Sequence, residues 1–201
     1  MRTLLTLVGM GICLLGASPP VWAQEMGSLT VSACLACHGG DTAAAPGAPP
    51  MPKLNGQHPD YLVKQLREYK KGKRKILIMN SVLASLTKQQ IPALAAHFAN
   101  LPPARGVVEN PQLAARGKAL YEEGNRATGV PGCVGCHLPG GVGSPRYPRL
   151  AGQAQAYTVQ QLVDFKSGVR TNDRAGVMRA VAGRLTDEEM KAVAEYVAGL
   201  Q

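Results

Sequence analysis

The sequence contains one unit written twice, and this repeat constrains the fold more than any other feature. The first copy begins at Cys34-Leu-Ala-Cys37-His38 and the second at Cys133-Val-Gly-Cys136-His137. The copies are offset by 99 residues at the cysteines, by 96 residues through a shared Leu-x-Gly-Gln segment, and by 99 residues again from a shared methionine onward. The histidine-to-methionine separation is therefore 41 residues in both copies. Such a repeat predicts two tandem domains of one fold.

The Cys-x-x-Cys-His motif is typical of covalent haem attachment. Cysteines three residues apart lie on neighbouring positions of a helical turn, where each thiol can add to one vinyl group of a haem. The adjacent histidine can then turn its imidazole onto the iron. The sequence therefore predicts two haem c groups, with iron ligands His38 and His137 and with covalent attachment at Cys34, Cys37, Cys133 and Cys136.

Three other uses of these cysteines stay open on the sequence. A zinc site of two Cys-x-x-Cys pairs places them about 15–20 residues apart, whereas Cys37 and Cys133 are 96 residues apart. A thioredoxin-like redox pair requires a βαβ pattern, and the sequence shows no strand-like alternation of that kind. Two structural disulfides are the third alternative, because exported chains often pair their cysteines.

The second axial ligand decides between electron transfer and chemistry at the metal. Met79 and Met178 correspond to each other in the repeat and are predicted as the sixth ligands. The alternatives have no partner in the other copy or fit another role. They are Met26, Met51, Met190 (helical core spacing), His58 (predicted at a helix start) and His97 (predicted on a helix face).

The N-terminus has the layout of a cleaved signal peptide. Met1-Arg2 precedes an apolar run from Leu4 to Leu15, and Val21-Trp22-Ala23 supplies a cleavage site of the small-residue type. The run is shorter than the roughly 20 residues of a membrane-spanning helix. We therefore expect a signal peptide at 1–23, export to the periplasm, a first domain at 24–105 and a second at 106–201, divided by the linker Leu101-Pro-Pro-Ala-Arg-Gly106.

Each copy shows three helical segments and no strand pattern, which predicts an all-α fold. The expected helices are 26–37, 59–71 and one beginning near Thr87 in the first copy, and 111–123, 155–167 and one beginning near Thr186 in the second. Thr87-Lys-Gln-Gln90 and Thr186-Asp-Glu-Glu189 are capping boxes. Because Pro92 removes a backbone hydrogen bond, the helix that contains it is expected to start late or to kink.

The whole exported chain resembles the dihaem class I cytochromes c of the cytochrome c4 family. The resemblance rests on both Cys-x-x-Cys-His motifs, the two late methionines, and repeated segments that read Leu-x-Gly-Gln, Tyr, Gln-Leu and (Tyr/Phe)-Lys-x-Gly-x-Arg. It implies two fused cytochrome c domains and His/Met ligation at both irons. It also implies a soluble or membrane-associated periplasmic electron carrier that delivers electrons to a terminal oxidase or another respiratory partner.

The net positive charge is concentrated in the first domain. Residues 24–105 contain ten basic and four acidic residues, whereas residues 106–201 contain eleven basic and nine acidic residues. The run Lys70-Lys-Gly-Lys-Arg-Lys75 is either a solvated loop or a docking site for an acidic redox partner or an anionic membrane surface. Export and the lack of interleaved aromatic residues argue against nucleic acid.

The leading hypothesis is an electron carrier that transforms no substrate. The second is a cytochrome subunit or dedicated acceptor of a periplasmic dehydrogenase, for example one that oxidises a sulfur compound. The third, a dihaem peroxidase, is disfavoured by the small size and by two methionine ligands that would close both irons.

The exported part also has few aromatic residues, six tyrosines and two phenylalanines. Because aromatic rings normally supply much of a core's buried area, a haem is expected to replace them in each domain.

Overall fold

The computed structural model describes residues 28–39 and 49–201, and this part of the chain is α-helical, as predicted. The first domain contains α1 (Ser28–His38), α2 (Pro59–Lys70), α3 (Leu77–Val82) and α4 (Gln90–Asn100). The second contains α5 (Pro111–Glu123), α6 (Val134–His137), α7 (Gln155–Lys166), α8 (Val177–Ala182) and α9 (Asp187–Gly199). The sole β feature of the described residues is an isolated bridge between Asn125 and Val130.

The signal peptide, its cleavage after Ala23 and the residue Met26 lie outside the described residues. Within 28–39 and 49–201, every helix is too short or too polar to cross a bilayer.

Local sequence signals set where the helices begin. The Asn110 side chain accepts a hydrogen bond from Leu113 N at the start of α5, and Pro111 occupies the first turn. At α9, Thr186 Oγ1 accepts from Glu189 N while Glu189 Oε2 accepts from Thr186 N, which is the predicted capping box.

The helix that contains Pro92 starts late, as the sequence predicts. Thr87 and Gln90 exchange both capping-box hydrogen bonds, at 2.9 and 3.3 Å, but α4 itself begins only at Gln90. Pro92 therefore lies in the first helical turn, where a backbone N–H would have no intrahelical partner.

The structure adds short helices to the three expected in each domain. Met79 and Met178 lie on two of them, α3 and α8, just before the last helix of each domain. In the second domain the Cys-x-x-Cys-His motif forms the separate four-residue helix α6, whereas in the first it occupies the end of the longer α1.

The last helix of each domain carries much of its core. Ile91 and Phe98 on α4, and Met190 and Val197 on α9, are at most 2% exposed. Helices α5 and α9 approach closely at Gly117, where a Cβ atom would lie 1.9 Å from the Ala192 carbonyl oxygen. Glycine is therefore required at this helix crossing.

The two domains meet across an approximate two-fold axis, because equivalent residues bond in opposite directions. Arg74 Nη2 donates to the Tyr157 hydroxyl at 3.0 Å, and the equivalent Arg170 Nη2 donates to the Tyr61 hydroxyl at 3.0 Å. Arg74 also donates to Gln161 Oε1 at 2.7 Å, and Arg170 donates to Gln65 Oε1 at 3.2 Å. The interface is thus built from residues that the repeat places in both halves.

Candidate functional site

In the first domain, α1 ends at the predicted iron ligand His38. Cys34 and Cys37 lie on the preceding turns of the same helix, and both are partly buried. The His38 imidazole is 7% exposed, and its Nδ1 lies 2.8 Å from the Pro52 carbonyl oxygen. A carbonyl oxygen can only accept, so Nδ1 carries the proton.

The second domain reproduces this arrangement on a different helix. His137 ends α6 and is 6% exposed, and its Nδ1 lies 2.9 Å from the Pro148 carbonyl oxygen. Pro52 and Pro148 are equivalent in the repeat, as are the two histidines. The same backbone carbonyl therefore orients the imidazole in both halves of the chain.

Both rings have a neutral nitrogen available for a metal. Burial lowers the pKa of His38 and of His137, although the proline carbonyls act in the opposite direction. A neutral imidazole protonated on Nδ1 has its lone pair on Nε2, which is the nitrogen that binds metal. The Nδ1 hydrogen bond fixes this tautomer.

The predicted methionines lie against the same apolar clusters as the cysteines. Met79 and Cys34 pack on the cluster of α2 and α4 that includes Leu62 and Phe98. Met178 and Cys133 pack on the equivalent cluster of α7 and α9. Each domain thus places a thioether and a thiol on one apolar cluster, and the buried imidazole follows the thiol by four residues in the sequence. These are the donor types of a His/Met haem c site.

The alternative roles for these residues find no support in the described part of the chain. The four cysteines form no disulfide, and no group of three or more His, Cys, Asp or Glu side chains in residues 28–39 and 49–201 is arranged to hold a metal. Met190 is a fully buried core residue, as predicted. The His58 ring is at the start of α2, where its Nε2 lies 2.9 Å from the Val142 carbonyl oxygen.

A half-buried arginine in the second domain fits the anionic edge of a haem. Arg149 follows Pro148 directly, and its Nε is buried with no hydrogen-bond partner among the described residues. Burial also lowers the pKa of Arg149. A shielded N–H without a partner is unfavourable, and a propionate carboxylate would supply one, so the residues present fit the predicted group.

The basic run Lys70–Lys75 is divided in two by the structure. Lys70 Nζ donates to the Leu83 carbonyl oxygen at 2.8 Å, and Arg74 is only 6% exposed at the domain interface. Lys71, Lys73 and Lys75 remain exposed. The second copy has Ser167, Val169 and Thr171 at the equivalent positions, so this three-lysine patch belongs to the first domain alone.

The sequence predicted no function for the interface side chains. The repeated tyrosines, glutamines and arginines formed part of the repeat pattern, but their contacts lie about 100 residues apart in sequence. One feature of the sequence could have indicated the interface. Polar residues recur at matching positions of both copies, inside segments whose spacing otherwise predicts amphipathic helices.

Comparisons with known proteins agree with this geometry. The family model for cytochrome c matches residues 27–102 and 114–201. The chain is 43% identical over 188 residues to a cytochrome c4 of Thiocapsa roseopersicina, covering 92% of this chain and 96% of that one. It is 35% identical over 201 residues to a thiosulfate dehydrogenase electron acceptor of Thiomonas intermedia, covering 98% and 91%. The crystal structure of reduced cytochrome c4 from Pseudomonas stutzeri superposes with a TM-score of 0.79 at 39% identity, covering 88% of this chain and 98% of that one.

Proposed function

The chain belongs to the cytochrome c4 family of dihaem electron-transfer proteins, and from this premise we propose that His38 with Met79 and His137 with Met178 are its axial iron ligands. It carries two haem c groups and acts as an electron carrier, not as an enzyme. We assign covalent attachment to Cys34, Cys37, Cys133 and Cys136. The observation that supports this assignment is the repeated site, in which equivalent proline carbonyls orient both histidines.

The position of Met51 supports Met79 as the ligand in the first domain. Met51 directly precedes Pro52, whose carbonyl oxygen lies against Nδ1 of His38. Met51 therefore adjoins the residue that binds the Nδ1 edge of the imidazole, the edge not used for the metal. Met79 comes from a separate helix, α3, so it and His38 would hold the group from different elements of the domain.

When bound, each haem supplies one-electron redox chemistry, and the protein's residues determine how that chemistry proceeds. Two strong axial ligands leave no open position for peroxide or another substrate. Methionine as the second ligand raises the reduction potential. His38 and His137 are 7% and 6% exposed, so little water reaches either residue. These properties belong to a carrier.

Spectroscopy of the holoprotein tests the ligand assignment. The reduced protein should be low-spin at both haems, and the oxidised protein should show the weak near-infrared band of sulfur-to-iron ligation. Met79→Ala and Met178→Ala should each remove about half of that band, because each variant deprives one iron of its thioether.

Met190→Leu is the matched control for the methionine variants, because Met190 is fully buried and leucine nearly conserves its volume. This variant should keep the whole band. A high-spin component or rapid peroxide turnover in the unmodified protein would contradict the carrier function. Loss of the first-domain signal in Met51→Ala instead of Met79→Ala would show that the sixth ligand is Met51.

The location and domain limits are part of the same proposal. The charged start, short apolar run and cleavage site of residues 1–23 support export to the periplasm with cleavage after about Ala23. The proline-rich segment between the two matched ranges supports a boundary near residue 105.

We place the docking surface for redox partners on the first domain. The exposed Lys71, Lys73 and Lys75 lie next to α3, where the Leu77 side chain is 87% exposed and the Ile78 side chain is 58% exposed. Exposed apolar residues beside a basic segment suit an acidic redox protein, because the charges steer the encounter and the apolar residues give close contact. The terminal oxidase or another respiratory complex is the partner that this carrier would serve.

A second candidate role is that of acceptor for a periplasmic dehydrogenase that oxidises thiosulfate. The relative from Thiomonas intermedia is named as an electron acceptor of such an enzyme, and its similarity extends over nearly the full length of both chains. A second relative with this name, from Stutzerimonas stutzeri, is 33% identical over 190 residues. In this role the chain would still carry electrons, and the partner would perform the chemistry.

Charge variants measured by stopped flow test the docking surface and compare the two candidate partners. The triple variant Lys71→Ser, Lys73→Val and Lys75→Thr installs the residues of the second copy. At low ionic strength it should lower the rate of electron exchange with the physiological partner by about tenfold or more, and it should weaken the salt dependence of that rate. The partners compared are a thiosulfate dehydrogenase and oxidase-containing membranes.

The control removes three exposed positive charges from the second domain, at Arg126, Arg146 and Arg174. This variant has the same net charge as the lysine variant but keeps the patch, so its rate should change little. Equal slowing by both variants, or no slowing by either, would contradict docking at the three lysines.

A further inference from the structure

One peptide group in the first domain connects its histidine to the second domain. The Pro52 carbonyl oxygen accepts the hydrogen bond from His38 Nδ1 at 2.8 Å. The N–H of the same peptide group belongs to Lys53, and it donates to Gln153 Oε1 at 2.9 Å. Hydrogen bonds in series polarise one another. The glutamine of the second domain therefore increases the negative charge on the oxygen that binds His38.

The second domain contains the same connection in the opposite direction. The Pro148 carbonyl oxygen lies 2.9 Å from His137 Nδ1, and the following N–H, of Arg149, donates to Gln57 Oε1 at 2.8 Å. Gln57 and Gln153 occupy equivalent positions of the repeat. The structure thus has two crossed connections, each running from a glutamine through one peptide group to the histidine of the other domain.

Both glutamines are held firmly in this orientation. Gln57 is 7% exposed and Gln153 is 8% exposed. The Nε2 atoms donate to the Arg149 and Lys53 carbonyl oxygens, at 2.9 and 3.1 Å. Since those oxygens can only accept, the amide nitrogen must face them, and Oε1 must face the backbone N–H. The side chain binds both polar groups of the residue that follows the proline.

We propose that Gln153 sets the donor strength of His38 and that Gln57 sets the donor strength of His137, so that each domain lowers the reduction potential of the other domain's iron. This proposal rests on the ligation by His38 and His137 described above. A stronger acceptor on Nδ1 makes an imidazole a stronger electron donor to its metal, and this favours the oxidised state. The glutamines are positioning residues, because they act through the peptide group and do not touch the haem.

Removing either glutamine side chain should raise one potential, and the affected haem should be in the opposite domain. At a fixed applied potential, Gln153→Leu should raise the ratio of reduced to oxidised iron in the first domain by a factor of about two to ten. For one electron this is about 20–60 mV, at about 59 mV per tenfold change. Gln57→Leu should produce the same change at the second-domain iron.

The experiment combines redox titration of each haem in the holoprotein with proton NMR of the reduced form. In Gln153→Leu, the Nδ1 proton of His38 should move upfield, because its hydrogen bond to Pro52 weakens, and the proton of His137 should stay in place. Gln153→Asn is a second variant that keeps an amide at the interface but is one methylene too short to reach Lys53 N. It should change the potential in the same direction as Gln153→Leu.

Tyr157→Phe is the matched control, because it removes an interdomain hydrogen bond, from Arg74 Nη2 at 3.0 Å, that does not reach a histidine-binding peptide. Its potentials should equal those of the unmodified protein. The proposal would be overturned if the glutamine variants changed the potentials no more than Tyr157→Phe does. It would also be overturned if the change occurred at the haem of the mutated domain. Spectra of the unmodified protein without low-spin His/Met haems would instead overturn the ligand assignment.

Discussion

Replacing both cysteines of one motif with alanine is expected to leave that domain largely unfolded in the exported protein. The physical reason is the small supply of large buried side chains. In the described residues, the largest fully buried side chains are Tyr121, Phe98, Ile91, Met190 and Val197, shared between two domains. The clusters of both domains are completed by partly buried residues, among them the proposed ligands Met79 and Met178. Without a covalently held macrocycle, these apolar faces would be open to water.

The measurement is far-UV circular dichroism together with haem content, on Cys34→Ala with Cys37→Ala and on Cys133→Ala with Cys136→Ala. Each double variant should contain one haem per chain and should lose a large part of its helical signal. The untouched domain serves as the internal control and should keep its reduced absorption spectrum. Met178→Ala separates ligation from attachment, because it keeps the covalent haem and should stay folded. A compact second domain without haem, shown by retained helical signal and a cooperative melting transition, would disprove the expectation.

Local sequence signals explain why so much of the architecture was predictable. The positions of α2, α5 and α7 follow from apolar spacing, and prolines also mark the first turns of α2 and α5. The observed ends differ from the expected ones by at most one residue. The capping boxes at Thr87 and Thr186 also form as predicted. Such signals are local, so one sequence carries them without knowledge of tertiary contacts.

The short helices around the methionines were not predictable in this way. Helix α3 spans six residues, and neither its N-cap Ile76 nor its C-cap Leu83 makes a capping side-chain hydrogen bond. Isolated helices of this length are unstable, so only tertiary packing selects them. An apolar pattern of one and a half turns is also too short to be separated from a loop.

The basic run shows a different limit of sequence reasoning. By composition, Arg74 belongs with its neighbouring lysines, but the structure places its guanidinium against Gln65, Tyr157 and Gln161. These partners come mostly from the other domain, and nothing within the run indicates them. The roles of Gln57 and Gln153 are hidden for the same reason, since each bonds to a residue about 100 positions away.

Gly117→Ala is expected to destabilise the second domain, although alanine is the better helix former. In an exposed helix interior this substitution would stabilise by about 1 kcal/mol. At the crossing of α5 and α9, however, the new Cβ would lie 1.9 Å from the Ala192 carbonyl oxygen and 2.9 Å from Tyr196 Cβ. The helices must therefore move apart, and overpacking of this kind costs about 1–3 kcal/mol net, occasionally more. The crossing also supports the fully buried Met190 and Val197, so the loss should extend through the core.

Guanidinium titration of the holoprotein, followed by circular dichroism, measures this effect as a lower midpoint for the second domain. The matched control is Gly135→Ala in α6, where no atom lies within 4 Å of the new Cβ and where the first copy already has Ala36. That variant should keep its haem, and its free energy of unfolding should change by less than about 0.5 kcal/mol. If Gly117→Ala instead left the midpoint unchanged or raised it, the close contact of α5 and α9 would have to relax at no cost. Helix propensity would then outweigh packing against Ala192 in setting the stability at this position.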